Sequence, residues 1–139
     1  MNFFNRIVVI SIFSLTLFSA GLILQEALKM YQNNTLKNHP EAVQSLIDAA
    51  NNNNSDAAFL LATSYKDGKI GTATLKKAYK WYLKAAKLGD GDAMLMLGWL
   101  HYKGELFGGS NIKKAKQWFS KAADKGIDEA TEMLEILNS

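Results

Sequence analysis

Between Thr74 and Leu88 the apolar residues Leu75, Ala78, Trp81, Tyr82, Ala85 and Leu88 fall three or four positions apart, with lysines between them. That spacing gathers the apolar side chains on one stripe of an α-helix and leaves the charges on its outer surface. The pattern then returns. Lys77, Ala78, Trp81, Lys84, Ala85, Ala86, Gly89 and Ala93 recur as Lys114, Ala115, Trp118, Lys121, Ala122, Ala123, Gly126 and Ala130. Gly89 and Gly126 stand where a left-handed residue ends a helix without a Cβ clash. Asp90 or Gly91, then Asp92, begin the next helix with carboxylates near its positive end, and Asp128 with Glu129 repeat the arrangement.

A second helical pattern precedes each of these. Asp56 to Gly68 matches Asp92 to Gly104 at a shift of about 36 residues, a period typical of stacked helical repeats. The same shift carries Ala42, Ala49, Ala50, Asp56 and Ala57 onto Ala78, Ala85, Ala86, Asp92 and Ala93. Pro40 to Asn51 therefore reads as a worn copy of the second half of a repeat, and Glu129 to Leu137 as a copy of the first half. Ala85, Ala86, Ala122 and Ala123 let a neighbouring helix approach closely, and Ala62 and Gly98 offer a matching shallow spot. Trp81 with Tyr82, and Trp118 with Phe119, are expected to fill the wedges beside them; each ring buries about 150–250 Å² when packed. The expected architecture is all-α: a short α/α solenoid of helix-turn-helix repeats over residues 40–139, with full repeats at about 56–91 and 92–128 and partial copies on both sides. Residues 25–39 read either as a capping helix, through Leu24 to Tyr31, or as an asparagine-rich tether.

Residues 1–24 are different in kind. Ile7 to Leu24 carries no charge, and as a helix rising about 1.5 Å per residue it is just long enough for a bilayer core of roughly 30 Å. Arg6 stands before it, which favours a cytoplasmic N-terminus and repeats outside the cytoplasm, in the periplasm of a bacterium. A cleaved signal peptide competes with an uncleaved signal-anchor. Ser19-Ala20-Gly21 supplies small residues, but a cut after Ala20 leaves bulky Phe18 three positions back, and the apolar run exceeds a usual signal core. The anchored, single-pass form is the expectation, with a secreted or periplasmic soluble chain as the alternative.

Composition narrows the chemistry. The chain has no cysteine, so disulfides, thiolate nucleophiles and cysteine metal sites are excluded. The net charge of +3 comes from lysines spaced along helix exteriors. Arginine, which dominates bidentate phosphate and base recognition, is absent after Arg6, and no nucleic-acid partner is expected. His39 and His101 are the only histidines; they belong to no HExxH spacing, so no metal site is expected. Ser64 and His101 have no acid or oxyanion-loop signature between them. Lys69-Ile70-Gly71 belongs to no phosphate-binding loop. No catalytic residue, cofactor or small-molecule substrate is expected.

The repeated residues resemble the Sel1-like repeat family, a branch of the tetratricopeptide-like solenoids. Ala57, Leu61, Ala62, Tyr65 and Gly68, then Lys77-Ala78, Trp81-Tyr82, Lys84-Ala85-Ala86 and Gly89, fill one copy of its pattern. Ala93, Leu97, Gly98, His101 and Gly104, with Lys114-Ala115, Trp118-Phe119, Lys121-Ala122-Ala123 and Gly126, fill the next. His101 replaces the usual tyrosine and Ala62 the usual glycine. The resemblance implies a non-enzymatic adaptor or scaffold that binds another protein, here a membrane-anchored extracytoplasmic one suited to envelope assembly or toxin immunity. The alternative is a secreted effector-like adaptor with a cleaved signal peptide. A hydrolase is more remote, because the Sel1-like proteins linked to hydrolysis carry many cysteines. In such a solenoid the first helices of successive pairs line the concave side. That makes Phe59, Thr63 and Lys66, then Leu95, Trp99 and Tyr102, then Glu132 and Ile136, the candidate binding residues.

Overall fold

The computed structural model describes residue 19 and residues 21–139, which are helix and turn, with no strand among the described residues. Most of the apolar segment 7–24 lies outside the described residues. Among the described helices none is long and apolar enough to cross a membrane. The helices are α1 (21–32), α2 (Pro40–Asn51), α3 (Ser55–Lys66), α4 (Leu75–Lys87), α5 (Gly91–Lys103), α6 (Ile112–Ala123) and α7 (Asp128–Asn138), with a 3₁₀ turn, Leu36–Asn38, between α1 and α2.

Each helix starts and stops for a local reason. The side chains of Asn54, Asp90 and Asn111 cap α3, α5 and α6 by accepting from the N–H groups of Ala57, Ala93 and Lys114 at 2.9, 2.7 and 3.0 Å. At the other ends one backbone bond recurs, closing a turn over five residues. Thr35 N donates to Met30 O, Asn54 N to Ala49 O, Lys69 N to Ser64 O, Asp90 N to Ala85 O and Ile127 N to Ala122 O, at 2.8–3.1 Å. A left-handed residue precedes each donor: Asn34 (φ 60°), Asn53 (φ 66°), Gly68, Gly89 and Gly126. Asparagine tolerates this conformation better than other side-chain-bearing residues. The device found after α3, α4 and α6 therefore also closes α1 and α2. The helical pairing extends one unit further toward the N-terminus than the glycines indicate.

Packing follows chain order. α3 lies along α4 and α5 along α6, and α2 against α3, α4 against α5 and α6 against α7 join the pairs. α1 contributes the fully buried Ala27, with Leu24, Met30 and Tyr31 against the same core. The core is one continuous cluster from Ala27 to Met133, rich in alanine because the helices come close. Tyr82 and Phe119 are fully buried, at matching positions of α4 and α6. Their neighbours Trp81 and Trp118 are half-buried instead, with Lys84 Nζ 5.8 Å and Lys121 Nζ 4.5 Å from the ring centres. The inner place between helices thus goes to the narrower ring, and the tryptophan seals its outer edge under a lysine stem.

The two copies solve the inner contact differently. In the first, Tyr82 faces Ala62's helix and its hydroxyl lies 3.2 Å from Thr63 Oγ1. In the second, Gly98 lies directly beneath the Phe119 ring, and a Cβ at Gly98 would come within 2.5 Å of Cδ1 and Cε1. Gly98→Ala is therefore expected to force the ring aside and cost about 1–3 kcal/mol in a urea melt. Phe119→Leu in the Gly98→Ala background should recover part of that loss. Equal melts for wild type and Gly98→Ala would show that the ring yields freely.

Candidate functional site

An apolar groove runs between α1 and α3 and ends at the start of α5. Leu24, Leu28 and Tyr31 form one wall at helical spacing; Phe59, Leu60 and Thr63 form the other; and Asp56, Asp90 and Asp92 gather around it. Its volume is about 350 Å³. Leu28 remains 36% exposed.

The far end of α1 is tied down. Tyr31 donates its hydroxyl to Asp67 Oδ2, and Lys69 Nζ donates to Asn34 Oδ1 at 3.2 Å while lying 5.7 Å from the Tyr31 ring centre. Burial, then the bond to Asp67, pushes the Tyr31 phenol up to about 12, so it stays a neutral donor. Burial alone would raise Asp67, but the hydrogen bonds from Lys66 and Tyr31 outweigh it and hold the carboxyl below its usual range. This end of the groove is electrostatically satisfied.

The other end is not. Asp90 is held above the usual carboxylate range by burial, and the neighbouring charges of Asp92 and Asp56 add to this, against the N–H of Ala93, which favours the ionised form. Among the described residues the ion pairs are His39 with Glu41 and Lys66 with Asp67, so none of these three carboxylates has a salt bridge.

The residues expected at a binding face occupy distinct places. Phe59 and Thr63 line the groove. Lys66 bonds Asp67 beyond its tied end. Leu95 is 7% exposed and belongs to the core. Trp99 is half-buried, edge-on to Phe119 and Tyr102, and its Nε1 donates to Glu129 Oε1 at 2.9 Å, which joins α5 to α7. Tyr102 is half-buried against it, while Glu132 and Ile136 are exposed on α7. Sequence reasoning missed the α1 wall and the carboxylates. Leu24, Leu28 and Tyr31 show helical spacing, yet they follow an apolar run without a break; Asp56, Asp90 and Asp92 read only as helix starts.

His101 is packing. It is 3% exposed, its ring stacks on Phe107 with centres 4.4 Å apart, and its Nε2 lies 3.3 Å from the Tyr79 hydroxyl. Burial first, and the Lys114 charge second, lower its pKa, so the imidazole is neutral. No nucleophile is placed beside it in these contacts.

A family model described as Sel1 repeat matches residues 55–90 and 91–127, together more than half of the chain. Among solved structures, a Sel1 repeat protein from Oxalobacter formigenes superposes with a TM-score of 0.70 at 25% identity, over 84% of this chain and 48% of that one. The chain thus spans about half the length of that neighbour. Helicobacter pylori cysteine rich protein B superposes with a TM-score of 0.63 at 29% identity, over 80% of this chain and 94% of that one. No curated protein matches the chain.

His101 and Asp90 act on stability in opposite senses. His101, whose folded pKa is lowered, adds stability above the ordinary histidine range that is lost as pH falls through its folded pKa. His101→Tyr should flatten the loss of melting temperature seen between about pH 7 and about pH 5 in the wild type. Asp90, whose folded pKa is raised, stabilises most when protonated and less as pH rises through its titration. Asp90→Asn keeps a capping oxygen and removes the charge. It should melt no lower than wild type at neutral pH, and a clear loss there would mean that the ionised carboxylate is a net asset.

Proposed function

This chain belongs to the Sel1 repeat family, and from that premise we propose that it is a non-enzymatic module that holds another protein in the α1–α3 groove. The observation that carries the reading is an apolar groove of about 350 Å³ open on the face of the first helices. The second helices α4 and α6 instead present lysines, among them Lys76, Lys80, Lys113 and Lys121. An apolar segment entering the groove releases water from Leu28, Phe59 and their neighbours, at about 25 cal/mol per Å² removed from water. The side chains at i, i+3, i+4 and i+7 of an amphipathic helix fit such a slot.

The proposal includes a position. Residues 7–24 anchor the chain in a membrane with the N-terminus cytoplasmic and the repeats outside, supported by the uncharged run and by Arg6 before it. Leu24 closes that run and also lines the groove, so the partner would be held at the bilayer surface. A scaffold for envelope assembly or an immunity protein against an exported toxin fits this placement. A secreted adaptor is the second reading. It draws support from the helical residues that follow Ser19-Ala20-Gly21, since a cut there leaves the α1 wall intact.

Leu28→Lys should abolish capture of a partner by the full chain while leaving the melting temperature within a few degrees, because Leu28 is partly exposed. Lys80→Glu, on the second-helix face, should leave capture intact. Capture unchanged by Leu28→Lys would place the partner elsewhere. Membrane fractionation with mass analysis of the N-terminus separates the two locations: the intact chain is expected in the membrane fraction, and a soluble chain lacking its first twenty-odd residues would favour the secreted form.

A further inference from the structure

Resting on the groove reading above, we infer that the segment it accepts carries a lysine or arginine beside its apolar side chains, with the cation seated among Asp56, Asp90 and Asp92. The molecule is basic overall, at a net charge of +3, yet the groove lining contains three aspartates and no lysine or arginine. Positive charge is segregated onto the second helices: α4 carries Lys76, Lys77, Lys80, Lys84 and Lys87, and α6 carries Lys113, Lys114, Lys116 and Lys121, with no acidic residue in either. Lys125 packs over Gly89 and Gly91 at the start of α5, and it makes no ion pair with any of the three aspartates.

Local geometry explains why the charges sit there and why they are incompletely neutralised. Asp90 caps α5 through Ala93 N, and Asp56 and Asp92 occupy the first turns of α3 and α5. The three carboxylates sit at the positive ends of α3 and α5, but each end carries only about half an elementary charge. Two helix ends against three carboxylates leave the groove end negative, so an anionic ligand, which a bare helix end would attract, is repelled. A cation relieves the mutual repulsion of Asp56, Asp90 and Asp92. The apolar walls alone would accept any greasy segment; the carboxylates make the choice, since a charge of the wrong sign placed there is repelled. The partner chemistry that fits is therefore a cationic amphipathic segment, with apolar side chains at helical spacing and a basic residue flanking them.

The test is selection followed by titration. The full chain in nanodiscs of zwitterionic lipid is panned against a displayed library of roughly 12-residue peptides, long enough for three helical turns. Binders are then titrated by fluorescence anisotropy against wild type, Leu28→Lys and the double variant Asp56→Asn, Asp92→Asn, which leaves the Asp90 cap in place. Melting curves check that each variant is folded. The expected result is enrichment of lysine or arginine next to apolar residues, affinity that falls as salt rises, and a loss of about tenfold or more in the double variant. Binders that are lost in Leu28→Lys but show no basic preference and bind the double variant as well as wild type overturn this inference and leave the groove reading standing. Binders indifferent to Leu28→Lys overturn both. Self-association of the chain that disappears in the double variant, seen by light scattering, also overturns it, because the lysine-rich helices of a second copy would then be the occupant.

Discussion

The structure depends on how closely neighbouring helices approach. Many of the buried positions are small: Ala57, Ala58 and Ala62 on α3, Ala78, Ala85 and Ala86 on α4, and Gly98 on α5. Close approach leaves room for one large ring beside each contact, and Tyr82 and Phe119 take those places. It also fixes where turns must fall, since a helix that overran would carry its next apolar residue off the stripe. The recurring backbone bond after Asn34, Asn53, Gly68, Gly89 and Gly126 stops each helix in the same way. Small side chains and a common turn together make one unit stackable on the next.

Most of that logic was legible in the sequence because it is repeated. Gly89 and Gly126, Ala85 and Ala122, Leu61 and Leu97 appear at corresponding places and do the same work. The first unit was harder to see. Asn34 and Asn53 hold the left-handed positions that glycine holds later, and Leu24 to Tyr31 continues an apolar run whose lack of polar interruptions hides its period. The exchange between Trp81 and Tyr82, with the tyrosine innermost, was not legible at all. Both rings fall on the apolar stripe, and the choice depends on the width of a gap that only packing defines.

The groove was legible only in part. Phe59 and Thr63 were found by their place in the repeat, but their partners come from α1, whose register relative to α3 no pattern specifies. Trp99 drew notice as an aromatic with no counterpart in the earlier copy. Its surroundings bear on the difference: Trp99 stands at Thr63's place, meets Phe119 edge-on where Thr63 meets the Tyr82 hydroxyl, and reaches Glu129. The carboxylates had a sufficient local explanation as helix starts. That explanation is correct for Asp90 as a cap, and it concealed the crowding that arises only when the starts of two helices converge.

One feature reaches beyond binding. The neighbour from Helicobacter pylori is called cysteine rich, whereas this chain has no cysteine. Five of its described helices are closed by backbone bonds between residues five apart, and most of the contacts between helices join neighbours in chain order. Order in this solenoid is thus assembled from contacts that are short in sequence, the kind that form fast. No oxidant is needed to complete it and no reductant can undo it, so the fold is as secure in a reducing compartment as in an oxidising one.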